Sequence, residues 1–149
     1  MQPLAGVLVL DFTTLLPGPL ATLMLAEAGA EVIKIERPGG EDMRRYEPRF
    51  DGESAMFAML NRGKKSVVLD LKNDADRARL LPLVKRADVL VEQFRPGVMA
   101  RLGLGARALR RISGISLARS ASFLRSSTTL FLPRLSMANI ALSPSKRGS

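Results

Sequence analysis

Four short apolar runs constrain the fold of this chain more than any other feature: LAGVLVL (4–10), EVIKIE (31–36), SVVLDL (66–71) and DVLVEQF (88–94). They are rich in β-branched residues and close on charged or polar ones, as strands of a parallel sheet do when both faces are covered. Between the first two lies PGPLATLMLAEAGA, with Pro19 suited to a first helical turn and Gly29 to the C-terminal end of the helix. This strand–helix–strand unit implies a right-handed crossover and a parallel sheet. Asn73 is placed to cap a helix over DADRARLLPLVKRA, in which Pro82 removes one hydrogen bond or bends the axis. Residues 37–53 read as a long charged surface loop, SAMFAML as a helical turn or two, and VMARLG and ARALRR as helix-compatible segments after an RPG turn.

Composition narrows the chemistry. The 149-residue chain has room for one domain and contains neither His nor Cys. That excludes disulfides, thiolate nucleophiles, Cys/His zinc sites and any imidazole base. No apolar run approaches the roughly 18 residues needed to cross a bilayer, and the start MQPLAGVLVLD lacks the pattern of a secretory signal, so a cytoplasmic protein is expected. The net charge of +9 is confined to one end. Residues 1–92 hold 13 Lys and Arg against 14 Asp and Glu; residues 93–149 hold 10 Lys and Arg and no acid. From 111 the periodicity dissolves into a stretch with 10 Ser. The expected organisation is a folded segment over 1–110 and an irregular, poorly ordered Ser/Arg-rich tail over 111–149 that is not the sequence this fold was built to continue with.

Sequence motifs for common ligands fail. DFTTLLPGP follows the first strand where a dinucleotide fingerprint would need G-x-G-x-x-G, and NRGKKS lacks the upstream glycine of a phosphate-binding loop. The tail has no aromatic interleaving suited to nucleic acid, so neither nucleic acid nor membrane is expected as a partner. What remains are groups at strand ends: Arg37 after the second strand, Asp70 and Lys72 at the third, Gln93, Phe94 and Arg95 at the fourth, and Arg101 one turn into the next helix. Ligands of open parallel sheets bind outside the carboxyl ends of the strands. Cations and an aromatic gathered there would form a cradle for a phosphorylated, adenine-bearing ligand.

The stretches GVLVLDFTTLLPGPLATLMLAEAGAEVIKIERPGGEDMRR, NRGKKSVVLDLK and ADVLVEQFRPGVMARLGLG resemble the N-terminal part of the class III CoA-transferases, continuously over roughly residues 4–110. That family includes formyl-CoA transferase, carnitine CoA-transferase and α-methylacyl-CoA racemase. The resemblance implies a Rossmann-like large domain that binds coenzyme A, with no metal, and moves it between an acyl-CoA and a carboxylic acid. By position it puts Arg37 at the adenosine-phosphate end of coenzyme A and Leu69, Asp70, Leu71 and Lys72 around the adenine. It lays Phe94 on the base, pairs Arg101 with a phosphate, and sets Leu16 and Pro17 against the CoA chain. Leu16 stands where formyl-CoA transferase has glutamine, which argues against formyl-CoA as substrate; Gln93 replaces a common asparagine and keeps the amide. The family's attacking aspartate, and the racemase's histidine and aspartate, lie downstream, whereas the last acid here is Glu92 and no His exists. The expectation is a truncated transferase with part of a CoA site and no catalytic residue, too short for the family's interlocked dimer. The alternative is a non-catalytic CoA-binding or interaction module that partners a full-length paralogue.

Overall fold

The computed structural model describes residues 2–113 and the backbone of 129–131. In chain order its elements are β1 (Leu8–Asp11), α1 (Pro17–Glu27), β2 (Glu31–Glu36), a 3-10 turn (Asp42–Arg45), β3 (Arg49–Phe50), β4 (Glu53–Ser54), α2 (Ala55–Asn61), β5 (Lys65–Val68), α3 (Asp74–Arg86), β6 (Val89–Glu92), α4 (Val98–Arg101), α5 (Ala106–Ser113) and β7 (Thr129–Phe131). One sheet runs in the order β5-β2-β1-β6-β7, and its first four strands are parallel. The expected α/β fold with an open parallel sheet is therefore present.

Strand alternation explains why the apolar runs are continuous. Leu8 and Leu10 of β1, Ile33 and Ile35 of β2 and Leu90 of β6 point to one face, where they pack with Leu80 and Val84 of α3 and Leu109 of α5. Val9, Val32, Val89 and Val91 point to the other, against Leu25 and Ala26 of α1. Helices on both faces leave no polar side to the sheet. Val9, Leu10 and Leu80 are fully buried, each worth roughly 1.5–3 kcal/mol relative to exposure.

Local signals set the helix ends. Pro17 and Pro19 occupy the first turn of α1, and Gly29 follows its end at φ +101°, a conformation only glycine adopts without strain. The Asn73 side chain accepts a hydrogen bond from the amide of Ala75 (2.8 Å), capping α3 as expected, and Pro82 is carried inside the helix. β2 spans its whole run, whereas β1, β5 and β6 are shorter than theirs. β1 begins at Leu8 because Gly6 turns at φ +85°, and β5 stops at Val68 before the turn closed by Asn73 N–H to the carbonyl of Asp70 (2.9 Å). Residues 37–53 are more structured than a plain loop, holding the 3-10 turn and the β3–β4 hairpin.

Most of the expected irregular tail lies outside the described residues. Two pieces of it are described: the end of α5, to Ser113, and Thr129–Phe131, which form β7 antiparallel to β6. β6 offers an open edge there, and an unpaired edge accepts any extended segment.

Candidate functional site

The chain progresses β1, β2, β5 in one direction and then returns to place β6 on the other side of β1. The carboxyl ends of β1 and β6 thus diverge at a switch point, where sheets of this kind hold ligands. A groove of about 410 Å³ lies across these ends. Its floor and walls are mostly apolar (Phe12, Ile35, Leu69, Leu71, Phe94, Val98 and Leu102), with Arg37, Asp42, Asp70 and Lys72 among its charged groups. This size and mixture suit a small organic ligand with a few polar anchors.

Six sequence-selected residues line this single groove: Arg37, Leu69, Asp70, Leu71, Lys72 and Phe94. The others do not. Leu16 and Pro17 form the exposed N-terminus of α1, Arg95 is exposed in the loop after β6, and Arg101 is exposed at the end of α4. Gln93 sits beneath the switch point. Its Nε2 donates to the carbonyl of Thr14 (2.7 Å) and to Thr14 Oγ1 (3.1 Å), tying the β6 end to the β1–α1 loop. Its Oε1 is buried without a partner, close against Gly18: a Cβ built on that glycine would stand 2.5 Å from Oε1 and 2.2 Å from Thr13 Cβ.

Behind the groove, a network of buried charges holds its loops. Lys34 interrupts the apolar pattern of β2 and is 1% exposed. Its ammonium donates to the carbonyl of Thr13 (2.7 Å) and lies 2.6 Å from Glu41 Oε2, an ion pair out of hydrogen-bond alignment at that oxygen. The other oxygen of Glu41 accepts from the amide of Leu15 (3.2 Å), a residue held at φ +61°. Non-glycine residues at positive φ store strain that surrounding contacts must hold. A second pair joins Lys64 to Asp11 (3.1 Å), both within 1% of full burial. Lys64 also donates to the carbonyl of Pro19, to Thr22 Oγ1 and to Asn61 Oδ1, while Asp11 accepts from Thr22 and from the amide and hydroxyl of Thr13. Burial pushes the Lys64 ammonium below its ordinary value, against the pull of Asp11.

Glu36 anchors the far side. Arg44 grips it bidentately (2.7 and 2.8 Å), the Ser66 hydroxyl and the Glu41 amide donate to it, and Arg44 lies over the Phe57 ring at 3.7 Å. Burial works to raise the Glu36 carboxyl, but these donors outweigh it and hold it at about 2. An acid at this strand end could have held a ribose; here it is spent on Arg44 and Ser66.

Sequence reasoning missed Lys34, Glu41, Asp42, Thr13, Thr22 and Lys64. Lys34 did carry a signal, since a lysine between two isoleucines in a doubly covered strand requires a buried counter-charge. Lys64 and Asp11 are 53 residues apart, and nothing local pairs them.

Comparison with known proteins gives a consistent family pattern. A family model described as CoA-transferase family III matches residues 4–114. The acetyl-CoA:oxalate CoA-transferase of Acetobacter aceti is 50% identical over 112 residues, covering 74% of this chain and 29% of that protein. The succinyl-CoA:mesaconate CoA-transferase of Haloarcula hispanica is 47% identical over 116 residues, with 74% and 29% covered. Among solved structures, Rv3272 of Mycobacterium tuberculosis superposes with a TM-score of 0.71 at 46% identity, covering 76% of this chain and 32% of that one. The chain therefore spans under a third of the length of these relatives.

Proposed function

From the premise that this chain belongs to CoA-transferase family III, we propose that its strand-end groove receives the adenosine end of coenzyme A. The observation that carries this reading is the convergence of Arg37, Leu69, Asp70, Leu71, Lys72 and Phe94 on one groove, although they come from three separate strand ends. The adenine would lie against Phe94 over the apolar floor of Ile35 and Leu69. Arg37 and Lys72 would meet phosphate, Arg37 through its planar fork and Lys72 as a point charge. The β1–α1 loop, with Leu16 and Pro17 at its exposed end, would run along the pantetheine chain toward the thioester.

The family reaction moves coenzyme A between an acyl-CoA and a carboxylic acid. Exchange through an enzyme-bound anhydride needs a carboxylate at the acyl carbon. We read this 149-residue chain as supplying part of the binding site and none of the attacking groups: every acid lies at or before Glu92, and those near the groove sit at its adenine end. Calorimetry on the purified chain is expected to show weak coenzyme A binding that Arg37→Ala and Phe94→Ala reduce. Mass spectrometry after incubation with an acyl-CoA is expected to show no covalent adduct. Absence of any binding would overturn the site, and an adduct on an Asp or Glu would overturn the non-catalytic reading.

A second reading has its own observation. Leu16, Leu20 and Met24 present an exposed apolar stripe along α1, at 54%, 43% and 67% exposure. Such a face suits docking onto a longer paralogue. Co-purification with a full-length family member, lost on Leu20→Glu, would favour this module role.

A further inference from the structure

The guanidinium assigned to ligand phosphate is already engaged. Arg37 pairs through Nη2 with Asp42 and donates through Nε to the carbonyl of Gly40 (3.2 Å). Arg37 and Asp42 both line the groove. We propose that Asp42 is a built-in competitor for phosphate at Arg37, and so the residue that sets discrimination between coenzyme A and its analogue lacking the 3′-phosphate. This rests on the coenzyme A reading above, with the ribose 3′-phosphate taken as the phosphate that Arg37 meets.

An exposed ion pair is ordinarily a weak and adaptable contact. This one differs in how its carboxylate is held. Asp42 lies between Glu41 and Met43, which are 2% and 1% exposed. Glu41 is fixed from two sides, its amide donating to Glu36 Oε2 (3.0 Å) and its side chain paired with Lys34. Arg44, two residues on, grips Glu36. Gly39 and Gly40, at φ +83° and +77°, fold the chain back so that Asp42 returns to Arg37 five residues away. A Cβ on Gly40 would stand 2.7 Å from Arg44 Cδ, so a side chain at this turn would press on that anchor. The Asp42 backbone is thereby held in place, which keeps its carboxylate within reach of Arg37 at the groove.

Two consequences follow for an incoming phosphate. It must take the Nη2 position from Asp42 or remain beside a fixed negative charge, and either weakens binding. Lys72, which also lines the groove, makes no ion pair among the described residues, so an anion can reach it without displacing a carboxylate. The site thus separates a phosphate that must engage Arg37 from one that need only reach Lys72. Removing the charge at Asp42 should favour only the former.

The test is calorimetric titration of the full chain and its variants with coenzyme A and with dephospho-coenzyme A. Asp42 is 56% exposed at its side chain, so Asp42→Asn keeps the fold, which circular dichroism verifies. Asp42→Asn is expected to tighten coenzyme A by roughly threefold to tenfold, from a lost competing pair and relieved repulsion. It should leave dephospho-coenzyme A unchanged, and in an Arg37→Ala background its gain for coenzyme A should shrink, because only the relieved repulsion is left. Equal tightening of both ligands, no change in either, or a gain for coenzyme A undiminished without Arg37 would each overturn the proposal while leaving the coenzyme A site intact. Failure of the wild type and of Asp42→Asn to bind either ligand would overturn the coenzyme A reading itself, and this proposal with it.

Discussion

Breaking the Lys34–Glu41 pair should cost this chain more than deleting it. The two groups are 1% and 2% exposed and their charges lie 2.6 Å apart. Glu41→Gln keeps an acceptor for the Leu15 amide but leaves the Lys34 ammonium buried with only the Thr13 carbonyl. Removing one partner of a buried pair typically costs about 3–5 kcal/mol, because the remaining charge has neither water nor counter-charge. Lys34→Met should cost a similar amount by stranding the Glu41 carboxylate. In the double variant neither charge of this pair is left stranded, so its loss should fall at least about 2 kcal/mol below the sum of the singles. For a domain of this size each kcal/mol shifts the melting temperature by about 2–4 °C, so either single variant should melt roughly 6–20 °C lower. Thermal and urea unfolding followed by circular dichroism measure all four proteins. A Glu41→Gln variant as stable as the wild type, or strictly additive losses, would refute the view that this pair organises the β1–α1 loop.

Glu36 predicts an acid limb in stability. Its carboxyl is held at about 2 in the folded chain against 4.5 ordinarily. That stabilisation is present above the unfolded value and lost as pH falls from about 4.5 toward 2; it amounts to at most about 3 kcal/mol. Urea midpoints between pH 6 and 2.5 should decline, and the decline should flatten in Glu36→Gln; an unchanged slope would contradict the assignment. Gly18→Ala should destabilise by about 1–3 kcal/mol, since its Cβ would stand 2.2 Å from Thr13 Cβ and displace the loop tied to Gln93. A variant with wild-type stability would show that this close approach relaxes freely.

The fold was legible where one residue's environment follows from its neighbours in sequence. Apolar continuity located all four parallel strands, and Pro19, Gly29 and Asn73 marked helix ends through local chemistry. The lining of the groove was legible for a similar reason: Arg37 directly follows β2, and Lys72 and Phe94 lie four and two residues past the ends of β5 and β6. What stayed hidden depends on contacts between distant segments. Asp42 and Glu41 read as solvent-facing loop residues until Glu36, Arg44 and Lys34 are seen to fold that loop inward. Lys64 reads as one more turn cation, yet it is buried against Asp11 from the opposite end of the unit. β7 pairs with β6 across 36 or more intervening residues, and its short sequence carries no local sign of that partner.

The central claim is that one groove over the strand ends takes the adenosine end of coenzyme A. Amide chemical-shift mapping of the isotopically labelled chain during titration with coenzyme A tests it most directly. Shifts are expected to concentrate at Arg37, at Leu69 through Lys72 and at Phe94, and to shrink in Phe94→Ala by the loss of a stacking contact worth about 1–3 kcal/mol. Shifts centred elsewhere, on the basic face of α5 or on α2 for example, with those residues silent, would contradict it.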